Sequence, residues 1–143
     1  MLSLKDLITN YKNSEGQEVN ILKEYLQHKI LQVIFQSSIG SKLSFIGGTA
    51  LRIIYNLPRF SEDLDFDNFN LKKDEFEKVT NVIKNALELE GCKVEIKTQT
   101  DGSTFHYHIK IPDVLYENKL SPHKNEKILI KVDTQPQGFE YIP

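Results

Sequence analysis

A short acidic stretch in the middle of the chain constrains the fold more than any other feature. Asp63, Asp65 and Asp67 alternate there with Leu64 and Phe66. Side chains two residues apart on a β-strand point to the same face of the sheet. The alternation therefore predicts a strand that has one apolar face and one acidic face.

The remaining elements follow from the spacing of apolar residues, which recur every three or four positions in helices and alternate in strands. Helices are expected at residues 3–9, 18–37, 49–56 and 72–90. Strands are expected at residues 43–46, 63–67, 92–98, 104–111 and 127–133. This order predicts an α/β (α+β) domain built on one mixed sheet that is flanked by helices.

A chain of 143 residues is most simply one domain. We expect N-terminal helices over about residues 1–40, a core over about 43–134 and a tail over 135–143. The sequence contains no long apolar run, so neither a signal peptide nor a membrane span is expected.

The composition limits the kinds of partner and site. With 18 basic and 20 acidic residues, the chain has no overall positive charge to attract nucleic acid, so an RNA contact would need a local patch. Lys119, Lys124 and Lys127 form one mild basic cluster, for which a solvated loop is the alternative interpretation. The single cysteine, Cys92, excludes an internal disulfide and a cysteine-built zinc site, and this fits a cytoplasmic location.

Asp63 and Asp65 are the first candidate site residues. Two carboxylates on one strand face repel each other, and a divalent cation removes that repulsion. Mg²⁺ is typically held by one or two carboxylates together with substrate phosphates. The segment from Ser61 to Glu77 carries seven acidic residues and two lysines, so the local charge is strongly negative. The alternative is that Asp63 and Asp67 flank a turn while Asp65 is solvated on an edge strand.

Gly47, Gly48 and Thr49 predict a phosphate site. Glycines allow a ligand to approach the backbone closely, and the unpaired N–H groups at the start of the following helix suit a phosphate. Thr49 can cap that helix or offer its hydroxyl to the same phosphate. The three residues alone could simply turn the chain from strand to helix. In combination with Asp63 and Asp65 they place a phosphate site and a metal site at adjacent strand ends.

The segment that joins these two motifs is similar to a known family. FIGGTALRIIYNLPRFSEDLDF, from Phe45 to Phe66, resembles the signature of the AbiEii/AbiGii-type nucleotidyltransferase toxins, a branch of the DNA polymerase β-like nucleotidyltransferase superfamily. The family pattern is Gly-Gly-Thr-Ala-Leu followed by Arg-x-Ser-x-Asp-x-Asp. In this chain the pattern corresponds to Gly47, Gly48, Thr49, Ala50 and Leu51, followed by Arg59, Ser61, Asp63 and Asp65.

The resemblance also implies a third carboxylate, which in this family lies in a Lys-x-Asp pattern on a later strand. Lys131-Val132-Asp133 matches that pattern at the end of the last predicted strand. Asp133 would complete the metal site, and Lys131 would face the nucleotide phosphates or the acceptor. For Lys131 and Asp133 alone, a solvated strand end is the alternative.

By resemblance, the chain would have a minimal polymerase β-like fold and transfer NMP from an NTP to an acceptor hydroxyl. Two Mg²⁺ ions, with Mn²⁺ as an alternative, would be held by Asp63, Asp65 and Asp133. The β/γ end of the triphosphate would lie against Gly48 and Thr49. The roles of the remaining motif residues stay open. Arg59 and Ser61 either support the site and contact phosphate, or Arg59 pairs with a nearby acid such as Glu62.

The resemblance extends to biology and to chain length. It implies a toxin of a bacterial toxin–antitoxin or abortive-infection system, with a separately encoded antitoxin and with tRNA or another RNA as the acceptor. Family members continue past the third carboxylate into a largely helical C-terminal region, which this chain is expected to lack. The competing hypotheses are a catalytically idle module that binds a nucleotide or a partner, and a metal-dependent phosphohydrolase.

His106 and His108 form a second candidate pair. They alternate on one predicted strand and therefore share a face. Two histidines at this spacing could hold a metal, but the sequence offers no obvious third ligand. The pattern favours a polar sheet face, with Phe105 and Tyr107 in the core.

Overall fold

The computed structural model describes residue 6 and residues 16–46, 63–102 and 104–136. The predicted helices at residues 3–9, apart from Asp6, and at residues 49–56 lie outside these ranges. The described elements are α1 (Glu18–Gln36), a 3₁₀ helix (Gly40–Lys42), β1 (Leu43–Ile46), β2 (Leu64–Asn68), α2 (Lys73–Leu89), β3 (Glu95–Asp101), β4 (Thr104–Ile111), α3 (Val114–Glu117) and β5 (Ile128–Pro136). Across these ranges, no helix combines the length and apolar character needed to cross a bilayer.

The five strands form one sheet in the order β1-β2-β5-β4-β3. β2 and β5 run parallel, whereas the other three neighbouring pairs are antiparallel. The prediction of a mixed sheet flanked by helices is therefore confirmed. Of the described strands, the last in sequence, β5, lies in the middle of the sheet, between β2 and β4.

Strands β2, β3 and β5 differ from the sequence-based prediction at their boundaries, β2 by one residue at each end and β3 also by ending at Asp101 rather than at residue 98. β3 begins at Glu95 rather than at residue 92, since Cys92 and Val94 are buried just before the strand starts. β5 continues to Pro136 rather than ending at residue 133. Parallel β2 supplies the partner for this extension, because its register with β5 runs as far as Asn68 opposite Pro136.

Helices α1 and α2 cover one face of the sheet. Phe35 of α1 contacts Phe66 of β2 edge-on, with ring centroids 5.8 Å apart. Phe76 of α2 stacks on Tyr107 of β4, with ring centroids 3.7 Å apart, and lies 5.5 Å from the ring of Phe105. The hydroxyl of Tyr107 donates a hydrogen bond to the backbone carbonyl of Phe76, and burial raises the pKa of this tyrosine far above its ordinary value.

This packing determines which side chains reach the opposite face. Along β4, Phe105 and Tyr107 are buried against α2, whereas His106 and His108 between and beyond them are partly exposed. The same alternation holds along β2, where Leu64 and Phe66 are buried. The polar side chains of the central strands therefore lie together on the face away from α1 and α2.

Phe76→Ala tests the packing of α2 on β4. Phe76 is fully buried, so the substitution is expected to lower the free energy of unfolding by about 3–5 kcal/mol, as measured by urea denaturation. Leu89→Ala is the control, since Leu89 ends the same helix and is 89% exposed. Similar losses for the two variants would contradict this account of the core.

Candidate active site

The parallel pairing of β2 and β5 brings two predicted site residues side by side. Asp65 of β2 is the register partner of Asp133 of β5. Neighbouring strands lie about 4.8 Å apart, and both side chains point away from α1 and α2. Each aspartate is of intermediate exposure, so each carboxylate is partly desolvated without being sealed from water.

Asp63 lies close enough to Asp65 for its charge to act on it. It directly precedes β2 and is two residues from Asp65. Burial raises the pKa of Asp65 above its ordinary value, and the negative charges of Asp133 and Asp63 raise it further. The structure thus brings Asp65 and Asp133 together, with Asp63 near enough for its charge to act on Asp65.

Lys131 and His106 flank the carboxylates on β5 and β4. Lys131 is two residues before Asp133 and exposed, which places it on the same face of β5. His106 is the register partner of Asp133 on β4. Its Nδ1 lies 2.6 Å from Oδ1 of Asp133, a short hydrogen-bond distance. A cavity of about 280 Å³ opens over this part of the sheet, and its lining includes Asp65, His106 and Asp133.

The side chains that could bind the predicted Mg²⁺ are carboxylates. In the parts of the chain that the structure describes, no group of three or more His, Cys, Asp or Glu side chains is arranged to hold a metal ion. Mg²⁺ does not require such a group, because it is commonly bound by one or two carboxylates while water and substrate phosphates supply the other oxygens. The adjacent pair Asp65 and Asp133 fits that mode of binding.

The predicted phosphate-binding residues Gly47, Gly48 and Thr49 lie outside the described residues, as do Arg59 and Ser61. Gly47 directly follows Ile46, the last residue of β1, in the sequence. Ile46 is the register partner of Asp65, so Gly47 follows directly after a residue that neighbours the carboxylates.

His106 is the residue of this site that the sequence interpretation missed. The alternation along its strand correctly placed His106 and His108 on one face, opposite the core residues Phe105 and Tyr107. What distinguishes the two histidines is the strand pairing, because His106 faces Asp133 whereas His108 faces Lys131. Alternation within one strand carries no information about the register with its neighbour.

Comparison with known proteins agrees with the predicted family. The family model described as "Nucleotidyl transferase AbiEii toxin, Type IV TA system" matches residues 29–138. No curated protein matches the chain.

Two solved structures share the fold. JHP933 from Helicobacter pylori has a TM-score of 0.60 and 21% sequence identity, with 87% of this chain and 47% of that chain covered. A second H. pylori protein, described as a candidate nucleotidyltransferase, has a TM-score of 0.58 and 24% identity, with 85% and 47% covered. The chain therefore spans about half the length of either protein.

Asp65→Asn is expected to stabilise the metal-free chain at neutral pH. The pKa of Asp65 is raised in the folded state, so folded-state stability falls as the pH rises from 3.8 through that raised pKa. Asparagine stays neutral, so the variant does not lose folded-state stability in this way as the pH rises. In EDTA at pH 7 the variant should therefore melt at a higher temperature than the unsubstituted chain, and the difference should disappear below pH 3.8.

Asp67→Asn is the control for this measurement. Asp67 lies on the same face of β2 but is not among the charges that raise the pKa of Asp65. An equal gain in melting temperature for both variants would mean that neither the burial of Asp65 nor its repulsion by Asp133 and Asp63 is the cause.

Proposed function

The chain belongs to the AbiEii family of nucleotidyltransferase toxins of type IV toxin–antitoxin systems, and from this premise we propose that it transfers NMP from an NTP to an acceptor hydroxyl in a Mg²⁺-dependent reaction. The observation that carries the proposal is the register of Asp65 with Asp133 on parallel strands. The charge of Asp63 also acts on Asp65. This is an oxygen-rich centre of the kind that Mg²⁺ and a triphosphate complete.

Each named residue has a role in the proposed reaction. Asp63, Asp65 and Asp133 would hold two Mg²⁺ ions, and Mn²⁺ could replace them. Gly48 and Thr49, with Gly47 before them, would receive the β/γ end of the triphosphate. Arg59 and Ser61 would support that end of the site.

The reaction itself is an in-line displacement. The acceptor hydroxyl gives up its proton to water as its oxygen attacks the α-phosphate, the bond from this phosphorus to the bridging oxygen breaks, and pyrophosphate leaves. When bound, Mg²⁺ would lower the pKa of the acceptor hydroxyl and offset the charge on the phosphates. The carboxylates hold the reacting groups in place, and Lys131 would contribute positive charge near the phosphates or the acceptor.

A pair of lysines supports an RNA acceptor, of which tRNA is one example. On the carboxylate face, Lys97 of β3 neighbours His108 of β4, which neighbours Lys131 of β5. Both lysines are exposed and lie roughly 10 Å apart, twice the spacing of neighbouring strands. Within the described part of the chain, neither forms an ion pair or hydrogen bond. Lys127 of the loop cluster, in contrast, pairs with Glu95 at 3.5 Å.

The position of these lysines suggests how the two substrates would be arranged. Across the sheet, the predicted phosphate turn follows β1, the carboxylates lie on β2 and β5, and the lysines lie on β5 and β3. The acceptor strand would therefore approach from the side opposite the triphosphate, with its phosphate backbone against Lys97 and Lys131.

We further propose a separately encoded antitoxin, in keeping with the family.

A catalytically idle module is the competing hypothesis. The same fold could bind a nucleotide or a partner without turnover. This idle module and the transferase predict different outcomes when the protein is given substrates.

The first test follows transfer of label from α-labelled NTPs to total tRNA in the presence of Mg²⁺. The unsubstituted chain is expected to label the RNA, and EDTA is expected to abolish labelling. Asp65→Asn should lower the rate by roughly 100-fold or more, the loss typical when a group that stabilises transition-state charge is removed.

The control for this test is Asp67→Asn, which makes the same change on the same strand face and should label RNA normally. Absence of label with the unsubstituted chain would favour the idle module. Release of NMP or free phosphate without any acceptor would instead favour a phosphohydrolase.

The second test reverses the charge of Lys97. Lys97→Glu is expected to raise the KM for the RNA acceptor and leave the KM for the NTP unchanged. Loss of one phosphate contact should also reduce the slope of log affinity against log salt by about 0.7. Lys78→Glu, which makes the same charge change on the exposed face of helix α2, should alter neither quantity. Equal effects of the two variants would show that overall charge, rather than this surface, matters.

A further inference from the structure

A polar contact joins His106 to Asp133 within the candidate site. The two residues are register partners on β4 and β5, and Nδ1 lies 2.6 Å from Oδ1. The side chains are 23% and 33% exposed, so the bond is partly shielded from competing water. Both residues line the same cavity as Asp65.

The direction of this hydrogen bond follows from its chemistry. An ionised carboxylate can only accept, so Nδ1 of His106 carries the proton and donates to Oδ1 of Asp133. The neutral tautomer with hydrogen on Nδ1 and the doubly protonated ring both make this bond. The contact therefore does not depend on the charge state of His106. A hydrogen bond to an ionised group is also stronger than one between neutral groups.

The bond restrains Asp133 from the side away from Asp65. Across the sheet, Asp133 has Asp65 on one neighbouring strand and His106 on the other. With no metal present, two adjacent ionised carboxylates repel, and this repulsion favours rotation of the Asp133 side chain away from Asp65. The donor on β4 fixes Oδ1 of Asp133, while Oδ2 makes no hydrogen bond within the described ranges.

We propose that His106 is a positioning residue that holds the Asp133 carboxylate ready for a divalent cation shared with Asp65, acting through its Nδ1–H and not as a ligand. The inference rests on the proposed metal-dependent function and adds a residue to it. Hydrogen-bond partners of metal-binding carboxylates commonly act in this way, and removing them weakens metal binding.

The neighbouring histidine provides a matched comparison. His108 lies two residues further along β4 on the same face and is also partly exposed. Its partner on β5 is Lys131, and it forms no hydrogen bond with a carboxylate within the described part of the chain. His108 therefore shares the strand, the face and the residue type of His106 but lacks the contact.

The test measures Mn²⁺ binding by electron paramagnetic resonance, without nucleotide or acceptor. His106→Ala is expected to weaken Mn²⁺ binding by about 10-fold or more. His106→Asn should restore most of the affinity, because its side-chain amide places an N–H donor near the position of Nδ1. His108→Ala should bind like the unsubstituted chain. Thermal melting of each variant confirms that it is folded.

The outcomes separate this inference from the function on which it rests. If the unsubstituted chain binds Mn²⁺ neither alone nor with a non-hydrolysable NTP analogue, the metal-dependent function is overturned, and with it the site that His106 serves. If it binds Mn²⁺ only with the analogue, the variants are compared in the presence of the analogue. If the unsubstituted chain binds Mn²⁺ and His106→Ala binds it equally well, only the role of His106 is overturned. The role of His106 is also overturned if His106→Asn binds Mn²⁺ as weakly as His106→Ala does.

Spectroscopy distinguishes positioning from direct ligation. A histidine ligand would produce nitrogen hyperfine coupling to bound Mn²⁺, and this coupling would be absent in His106→Ala. We expect no such coupling in the unsubstituted chain. Its presence, and its loss in His106→Ala, would overturn the positioning role.

Discussion

The parallel pairing of β2 with β5 is the constraint on which the rest of the site depends. It brings Asp65 and Asp133, which are far apart in sequence, onto neighbouring strands. Burial of Leu64, Phe66 and Val132 under α1 and α2 stabilises the register. A shift by one residue would turn Asp133 towards the helices and expose the apolar side chains. Hydrophobic burial on one face thus maintains an unfavourable arrangement of like charges on the other.

Buried and partly exposed side chains alternate along each strand, so each site residue on β4 and β5 has core residues as its neighbours in sequence. His106 lies between Phe105 and Tyr107 in sequence, and the stacking of Phe76 on Tyr107 anchors that part of β4. Asp133 is likewise flanked by the buried residues Val132 and Thr134. A core substitution that twists either strand would therefore change the distance between His106 and Asp133 without touching either side chain.

Most of the sheet could be predicted because its strands alternate clearly. The acidic face of β2, the amphipathic α2 and the hairpin around Gly102, where φ is +63°, each have a local cause in the sequence. The family match confirms the resemblance that was drawn from the motif residues. The grouping of Asp65 with Asp133 was expected from the resemblance, whereas periodicity alone could not supply it.

What the sequence could not predict depends on pairing between strands. The contact of His106 with Asp133 requires the register of β4 against β5. The extension of β5 to Pro136 requires the length of β2, since the residues after Asp133 contain no alternation of their own. Both features are properties of a pair of strands, and a pattern read along one strand does not contain them.

The position of β5 in the sheet has a consequence for biosynthesis. This strand follows the other four in sequence, yet it joins the pair β1-β2 to the pair β4-β3. While the chain is still emerging from the ribosome, the pairs β1-β2 and β4-β3 each have an unpaired edge and no common sheet. Formation of the central contacts spans a long stretch of chain, which makes this step slow relative to local folding. A nascent polypeptide therefore cannot assemble its carboxylate centre before β5 has left the exit tunnel, so translation itself delays the appearance of the site.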